Sequence, residues 1–394
     1  AIPAGDRITF INRDGTYQRM MQPFPASLSM DKVKGFDVVE VGGRPHPLVH
    51  AIQQRSFYSH RGQRKTGMAV TPQGVVLRPV GGARKCGSMA IAALDPEGGC
   101  AFGKFAGPLP FSDKRAGFKR PFICSSSDGK HAYFTGVTTG KKPRPAVYRV
   151  KLPERGSAEP FFGDPEKAGK SQTQLGGPPR GVACDGKGNL LVSDFANNRV
   201  VAVSEKGGKF VAEFAVQKPD DLGVDRKTGA VYVLRSLGKG NCELVKFSGL
   251  NGAKQVAALP VKKDGNPDYP WTMAVDDSER PAVIWLGGDY GKLIRVEDAG
   301  TKLNAGKDLN TRSLGNASFV DVSVDRFRKE VYARCGMYWW YRYNEEAGKM
   351  EKVKPGPIPG AAGSQIVAAP DGTLYSPAYS MHLLRFSRDG KPLP

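Results

Sequence analysis

Residues 179 to 204 read Pro-Arg-Gly-Val-Ala-Cys-Asp-Gly-Lys-Gly-Asn-Leu-Leu-Val-Ser-Asp-Phe-Ala-Asn-Asn-Arg-Val-Val-Ala-Val-Ser, and no other stretch constrains the fold of this chain so tightly. Short apolar runs alternate here with clusters of turn residues, which is the pattern of antiparallel strands joined by tight turns. Gly181 to Cys184 is a first strand and Leu190 to Ser193 a second. Arg199 to Ser204 is a third, and Lys209 to Ala215 a fourth. Between the first two lies Asp185-Gly186-Lys187-Gly188-Asn189, whose glycines reach positive φ without strain and whose Asp and Asn can bond their own backbone.

A lone four-stranded unit cannot bury both of its faces, so the chain must supply neighbours of the same kind. It does. The first turn recurs at Thr71-Pro72-Gln73-Gly74, Ser127-Asp128-Gly129-Lys130, Asp225 to Gly229, Asp276 to Glu279, Asp325 to Arg328 and Pro370-Asp371-Gly372-Thr373. The later hairpin turn recurs at Asp95 to Gly99, Ser248 to Gly252, Glu297 to Gly300, Asn344 to Gly348 and Ser387 to Gly390. Pro179, Gly181, Asp185, Gly188, Asn189, Val192, Asp194, Asn197, Asn198 and Arg199 together resemble the NHL repeat. That resemblance implies an all-β fold, a β-propeller of four-stranded blades. The turn spacing predicts seven blades, with six or eight also compatible.

The 49 glycines and 30 prolines among 394 residues fit a chain of many turns, and no segment has sustained helical periodicity. We expect one propeller domain over 1–394. Residues 1–22 would form an outer hairpin around Asn12-Arg13-Asp14-Gly15 that completes the last blade, or the chain would be a piece of a longer protein. Residues 23–65 would be an irregular segment decorating one face, with a second such segment at 102–120. No run of about 18 apolar residues is present to cross a membrane as a helix. The chain starts at Ala1 with no signal peptide in view, so either an export signal has been removed or the sequence begins internally. The opening Asp14-Gly15-Thr16-Tyr17 followed by Pro23-Phe24-Pro25 is similar to propeller modules of large exported bacterial proteins, which implies an extracellular or periplasmic location.

Charge is the second constraint. Against 38 Asp and Glu stand 58 Lys and Arg, a net +20, which points to anionic partners. Candidate clusters are Arg55, His60, Arg61, Arg64 and Lys65; Lys114, Arg115, Lys119 and Arg120; and Lys141, Lys142 and Arg144. Gathered on one face, they would hold a polysaccharide or another anionic polymer, or an acidic protein surface, with affinity that falls as salt rises. The resemblance to NHL propellers also admits RNA. These clusters lack interleaved aromatic residues for base stacking, apart from Phe57 and Tyr58. With Phe102 and Phe105, those two could instead mark an apolar docking patch.

The run Met337-Tyr338-Trp339-Trp340-Tyr341-Arg342-Tyr343 invites a sugar-stacking reading. Counted from the hairpin turn, however, Trp339 takes the place of Arg199, and Tyr341 and Tyr343 take those of Val201 and Val203, which predicts core. Tyr338 and Tyr290 remain as ligand candidates. His382 also aligns with Arg199 and reads as structural. His46, His50 and His60, with Asp37 and Glu40, have no spacing that fixes a metal geometry, so no metal or other cofactor is assigned. Propellers also host lactonases, amidating lyases and glycan lyases at one mouth of the channel. Asp194, Asp276, Asp289 and Asn316 are available, yet the repeat itself explains the first two, and no Gly-x-Ser-x-Gly is present. Of six cysteines, Cys86 and Cys100 could bridge one hairpin, while Cys124, Cys184, Cys242 and Cys335 read as thiols within strands. The sequence therefore favours a binding or assembly module without catalytic residues over an enzyme.

Overall fold

The computed structural model describes residues 2–4, 7–11, 17–22, 37–41, 44–48, 69–81, 89–94, 104–106, 117–118, 121–139, 142–152, 158–239, 241–261, 271–278, 280–288, 292–309, 320–335, 339–353, 366–377 and 383–393. The chain divides into two compact units, Ala1–Ala51 and Ile52–Pro394. In the first unit, Ile2–Ala4, Arg7–Ile11 and Tyr17–Gln22 make a three-stranded sheet. Asp37–Val41 pairs antiparallel with Arg44–Leu48, so part of the segment expected to be irregular is a ladder.

Among the described residues, the second unit holds seven four-stranded antiparallel sheets, each in simple chain order. Blade 1 runs from Ala69–Val70 to Lys104–Ala106 and blade 2 from Ile123–Ser125 to Glu159–Phe162. Blade 3 is Val182–Cys184, Asn189–Asp194, Arg199–Ser204 and Phe210–Ala215. Blade 4 is Pro219–Val224, Val231–Gly238, Asn241–Phe247 and Gln255–Val261. Blades 5, 6 and 7 begin at Thr272–Asp276, Val320–Asp325 and Val367–Ala368. The first strand of every blade lies against the first strand of the next, and that of blade 7 against that of blade 1. The unit is a closed β-propeller, with those first strands around its axis.

Blade 7 takes its fourth strand from Pro392–Leu393, where Arg385 pairs with Leu393 and Phe386 with Pro392. The predicted decorating segment 102–120 contributes Gly117–Phe118, which pairs with a hairpin inserted between the second and third strands of blade 2.

Packing explains the long apolar runs. Each blade is pressed between two others, so both faces of its middle strands are buried and alternate residues serve opposite neighbours. In blade 4, Val231, Val233, Val245 and Phe247 pack towards blade 3, while Tyr232, Leu234 and Leu244 pack towards blade 5. Seven such clusters follow one another around the ring, the last joining Ala369 and Tyr375 to Val70. The aromatic run falls where its alignment placed it. Tyr341 is buried between blades 5 and 6, and Trp285 meets Tyr343 edge-on at 4.8 Å. Trp340 meets Phe386 edge-on at 4.7 Å in the next seam.

Candidate functional site

A four-stranded antiparallel blade places its first and third turns on one face of the ring and its second turn on the other. The second-turn face carries Asp194, Asn197 and Arg199 of the sequence signature in blade 3. The buried Asp194 carboxylate accepts from the Gly176 amide (3.1 Å), Asn197 Nδ2 (2.7 Å) and Arg199 Nε (3.0 Å). The Arg199 guanidinium donates onward to Ser171 O at 2.9 Å, Gln174 O at 2.7 Å and Glu213 at 2.6 Å. Asn197 Nδ2 also reaches Gly169 O at 2.8 Å. These side chains pin the long connection between blades 2 and 3 to the ring. Their role is structural, and Asp194 is fully engaged.

Beside that anchor lies an open groove of about 470 Å³, lined by Phe195, Gln217, Lys218, Ser236, Leu237 and Gly238. The Arg180 guanidinium sits 3.5 Å from the centroid of the Phe195 ring, and Lys218 Nζ is 5.1 Å from it. Leu237 is 52% exposed at the rim. The arrangement offers an aromatic surface, cations and amide or hydroxyl hydrogen-bonding groups, but no convergent acid and base. Sequence reasoning did not single out these residues. The one signal was Phe195, a large aromatic within a polar turn.

Lys218 holds a left-handed backbone, φ 48°, because its amide donates to Asn198 Oδ1 at 3.0 Å while its carbonyl accepts from Ser236. Such a conformation costs a side-chain-bearing residue on the order of 1 kcal/mol, and glycine would relieve it at an entropic cost of about 0.5–1 kcal/mol. Lys218→Gly should therefore leave the thermal midpoint nearly unchanged. Lys218→Val, β-branched in the left-handed region, should lose roughly 1–2 kcal/mol; equal stability of the two variants would overturn this.

On the opposite face, carboxylates are consumed by turns and by ties between blades. Asp185 accepts from the Lys187 amide (2.7 Å), the Asn189 amide (3.0 Å) and Asn189 Nδ2 (2.7 Å), closing a turn in which Gly188 has φ 93°. Arg280 of blade 5 holds Asp225 of blade 4 through two 3.0 Å bonds. Burial works to raise the Asp225 carboxyl, but the Thr228 hydroxyl, Arg280 and the Lys227 amide outweigh it and keep the group below its ordinary value. Asp298 accepts from Lys246 Nζ at 2.7 Å and from the Tyr232 hydroxyl at 2.5 Å. The Tyr232 hydroxyl is pushed far up, first by burial and then by Asp298. Glu205 of blade 3 accepts from the amide (3.0 Å) and the hydroxyl (2.7 Å) of Ser127 in blade 2. Exposed lysines remain on the same turns: Lys130, Lys187, Lys206, Lys209, Lys227, Lys254 and Lys302.

The predicted binding residues Arg55, His60, Arg61, Arg64, Lys65, Lys114, Arg115, Lys119, Arg120, Tyr290 and Tyr338 lie outside the described residues. So do Lys141, His50, His382, Asp289, Asn316, Cys86 and Cys100. Of the third basic cluster, Lys142 is exposed, whereas Arg144 is bound to Glu166 and to Pro165 O (3.2 Å) and is already spoken for. Asp276 caps its own turn, accepting from the Ser278 amide at 3.0 Å.

No protein-family model matches the chain, and no curated protein sequence matches it. Solved structures do. Hydrazine synthase of Kuenenia stuttgartiensis superposes with a TM-score of 0.54 at 11% identity, covering 85% of this chain and 98% of that one. Virginiamycin B lyase from Staphylococcus aureus gives 0.51 at 14% identity, over 83% and 95% of the two chains. The C-terminal WD40 domain of Sif2 gives 0.51 at 11% identity, over 83% and 82%. These likenesses are to β-propellers and concern the fold; enzymes stand among the neighbours.

Proposed function

We propose that the protein is a non-enzymatic binding module of NHL-like build, whose basic turn face engages an anionic polymer such as a sulfated or carboxylated polysaccharide. The net charge of +20 carries this reading. The distribution of charge on blades 2 to 5 supports it. There the aspartates are tied to turn amides and arginines, while Lys130, Lys187, Lys206, Lys209, Lys254 and Lys302 stand exposed. A field of that sign attracts polyanions by releasing their counterions, without a shaped pocket.

The test is retention on immobilised heparin as a function of salt. Strong retention at low salt is expected, with a steep loss as ionic strength rises. Changing Lys187, Lys206 and Lys209 to Glu should lower the slope of log K against log salt by about 1 per lysine. Retention no greater than that of a neutral propeller would remove the reading. Preference for RNA or for an acidic protein over heparin would replace the ligand class.

A further inference from the structure

The sulfurs of Cys124 and Cys184 lie 3.6 Å apart, one on the first strand of blade 2 and the other on the first strand of blade 3. They come from opposite sides of one seam. Cys124 pairs in register with Tyr133 and Cys184 with Leu190, and all four residues pack in the same cluster. Both cysteines are free thiols of intermediate exposure, whereas Cys242 is buried.

The same two positions meet in the three seams that follow. The amides of Ser126, Asp185 and Asp225 close equivalent first turns, which fixes the correspondence between blades. Where blade 2 offers Cys124, blade 3 offers Ala183, blade 4 Gly223 and blade 5 Ala274. Facing them are Cys184, Val224, Val275 and Val324. Ala183 packs in the cluster of Val224, and Ala274 and Val324 share another cluster. A Cβ on Gly223 would lie 2.6 Å from Val275. Every one of these contacts is a small residue against Val, except the one that brings two thiols together.

We propose that Cys124 and Cys184 form a reversible disulfide that links blades 2 and 3 beside the propeller axis. A disulfide needs its sulfurs about 2.05 Å apart, so the pair must close by roughly 1.5 Å, which side-chain rotation and a small approach of the two strands supply. The oxidant is an external disulfide. One thiol loses its proton and attacks it, forming a mixed disulfide and releasing one external thiol. The second thiolate then attacks the protein sulfur of that mixed disulfide and releases the other external thiol, so two protein thiols are oxidised as one external disulfide is reduced. The neighbouring sulfur of Cys124 and burial both push the Cys184 thiol up, so closure should quicken as pH rises.

The test uses the full chain, reduced and then equilibrated with oxidised glutathione under native conditions. Peptide mapping should recover a Cys124 to Cys184 cross-link in most molecules. The thermal midpoint should rise by roughly 5 °C, because the link closes a loop of about 60 residues. Cys124→Ser and Cys184→Ser should each abolish both effects. If either variant fails to fold, mapping of the unaltered chain decides alone. Recovery of Cys124 and Cys184 as free thiols or as separate glutathione adducts, in protein that remains folded, would overturn the proposal.

Discussion

Arg199→Ala should destabilise the propeller by about 3–5 kcal/mol, the effect of stripping the partner from a buried carboxylate. Asp194 has 0% of its side chain exposed and Arg199 10%, so water cannot replace the lost guanidinium. The same change releases the carbonyls of Ser171 and Gln174, and with them the connection between blades 2 and 3. Arg199→Lys should fare little better, since an ammonium cannot span Asp194, Glu213 and two carbonyls at once. Urea unfolding followed by tryptophan fluorescence reads the loss. Hydrogen exchange at the Gly176 amide, which donates to Asp194, reads the release of the connection. Lys349→Ala, at an ion pair in which Lys349 and Glu351 are 64% and 48% exposed, is the control and should stay within about 0.5 kcal/mol of the parent. Equal effects at Arg199 and Lys349 would show that the anchor is not holding the connection.

Much of this fold was legible because the repeat writes its turns in residues whose chemistry is local. Asp185 bonds Lys187 and Asn189 within five positions, and the alternation along Val231 to Leu234 reports burial on both faces. The identity of Trp339, Tyr341 and Tyr343 as seam residues followed from counting along that same repeat. What joins one blade to another was not legible. Glu205 to Ser127 spans 78 residues, Asp298 to Lys246 52, and Cys124 to Cys184 60, and no local spacing encodes such pairs. The final edge strand was missed because Lys391-Pro392-Leu393-Pro394 contains prolines that weaken a strand reading. Proline is nonetheless accepted at the outer edge of a sheet, where its missing N–H faces no partner. The groove by Phe195 was invisible for a related reason. It is built from two second turns and an inter-blade connection that approach only in the closed ring.

Asp277→Ala should cost about 2–4 kcal/mol at neutral pH, because this one carboxylate separates two guanidinium groups from neighbouring blades. Its Oδ2 accepts from the amide and from Nε of Arg226, both at 3.1 Å, while its Oδ1 lies 3.4 Å from Arg326 Nε. Asp277 is 5% exposed, whereas Arg226 and Arg326 are 43% and 35% exposed, so solvent screens part of the repulsion left behind. Burial works to raise the Asp277 carboxyl, but Arg326 and then Arg226 outweigh it and hold it below its ordinary value. Burial, and then the charge of Arg226, hold Arg326 below its own ordinary value. A carboxyl depressed in the folded state binds protons more readily when unfolded, so its contribution is complete above the unfolded pKa of about 4 and fades as pH falls through the lower folded value. Asp225, held down in the same direction, adds to that slope. The parent protein should therefore lose stability steeply below about pH 4. Asp277→Asn should flatten that dependence, so that the gap between parent and variant is wide at pH 7 and narrower at pH 3. Unfolding midpoints of both proteins at the two pH values decide the matter. A gap that stays constant would mean that the carboxylate contributes through packing and not through its charge between Arg226 and Arg326.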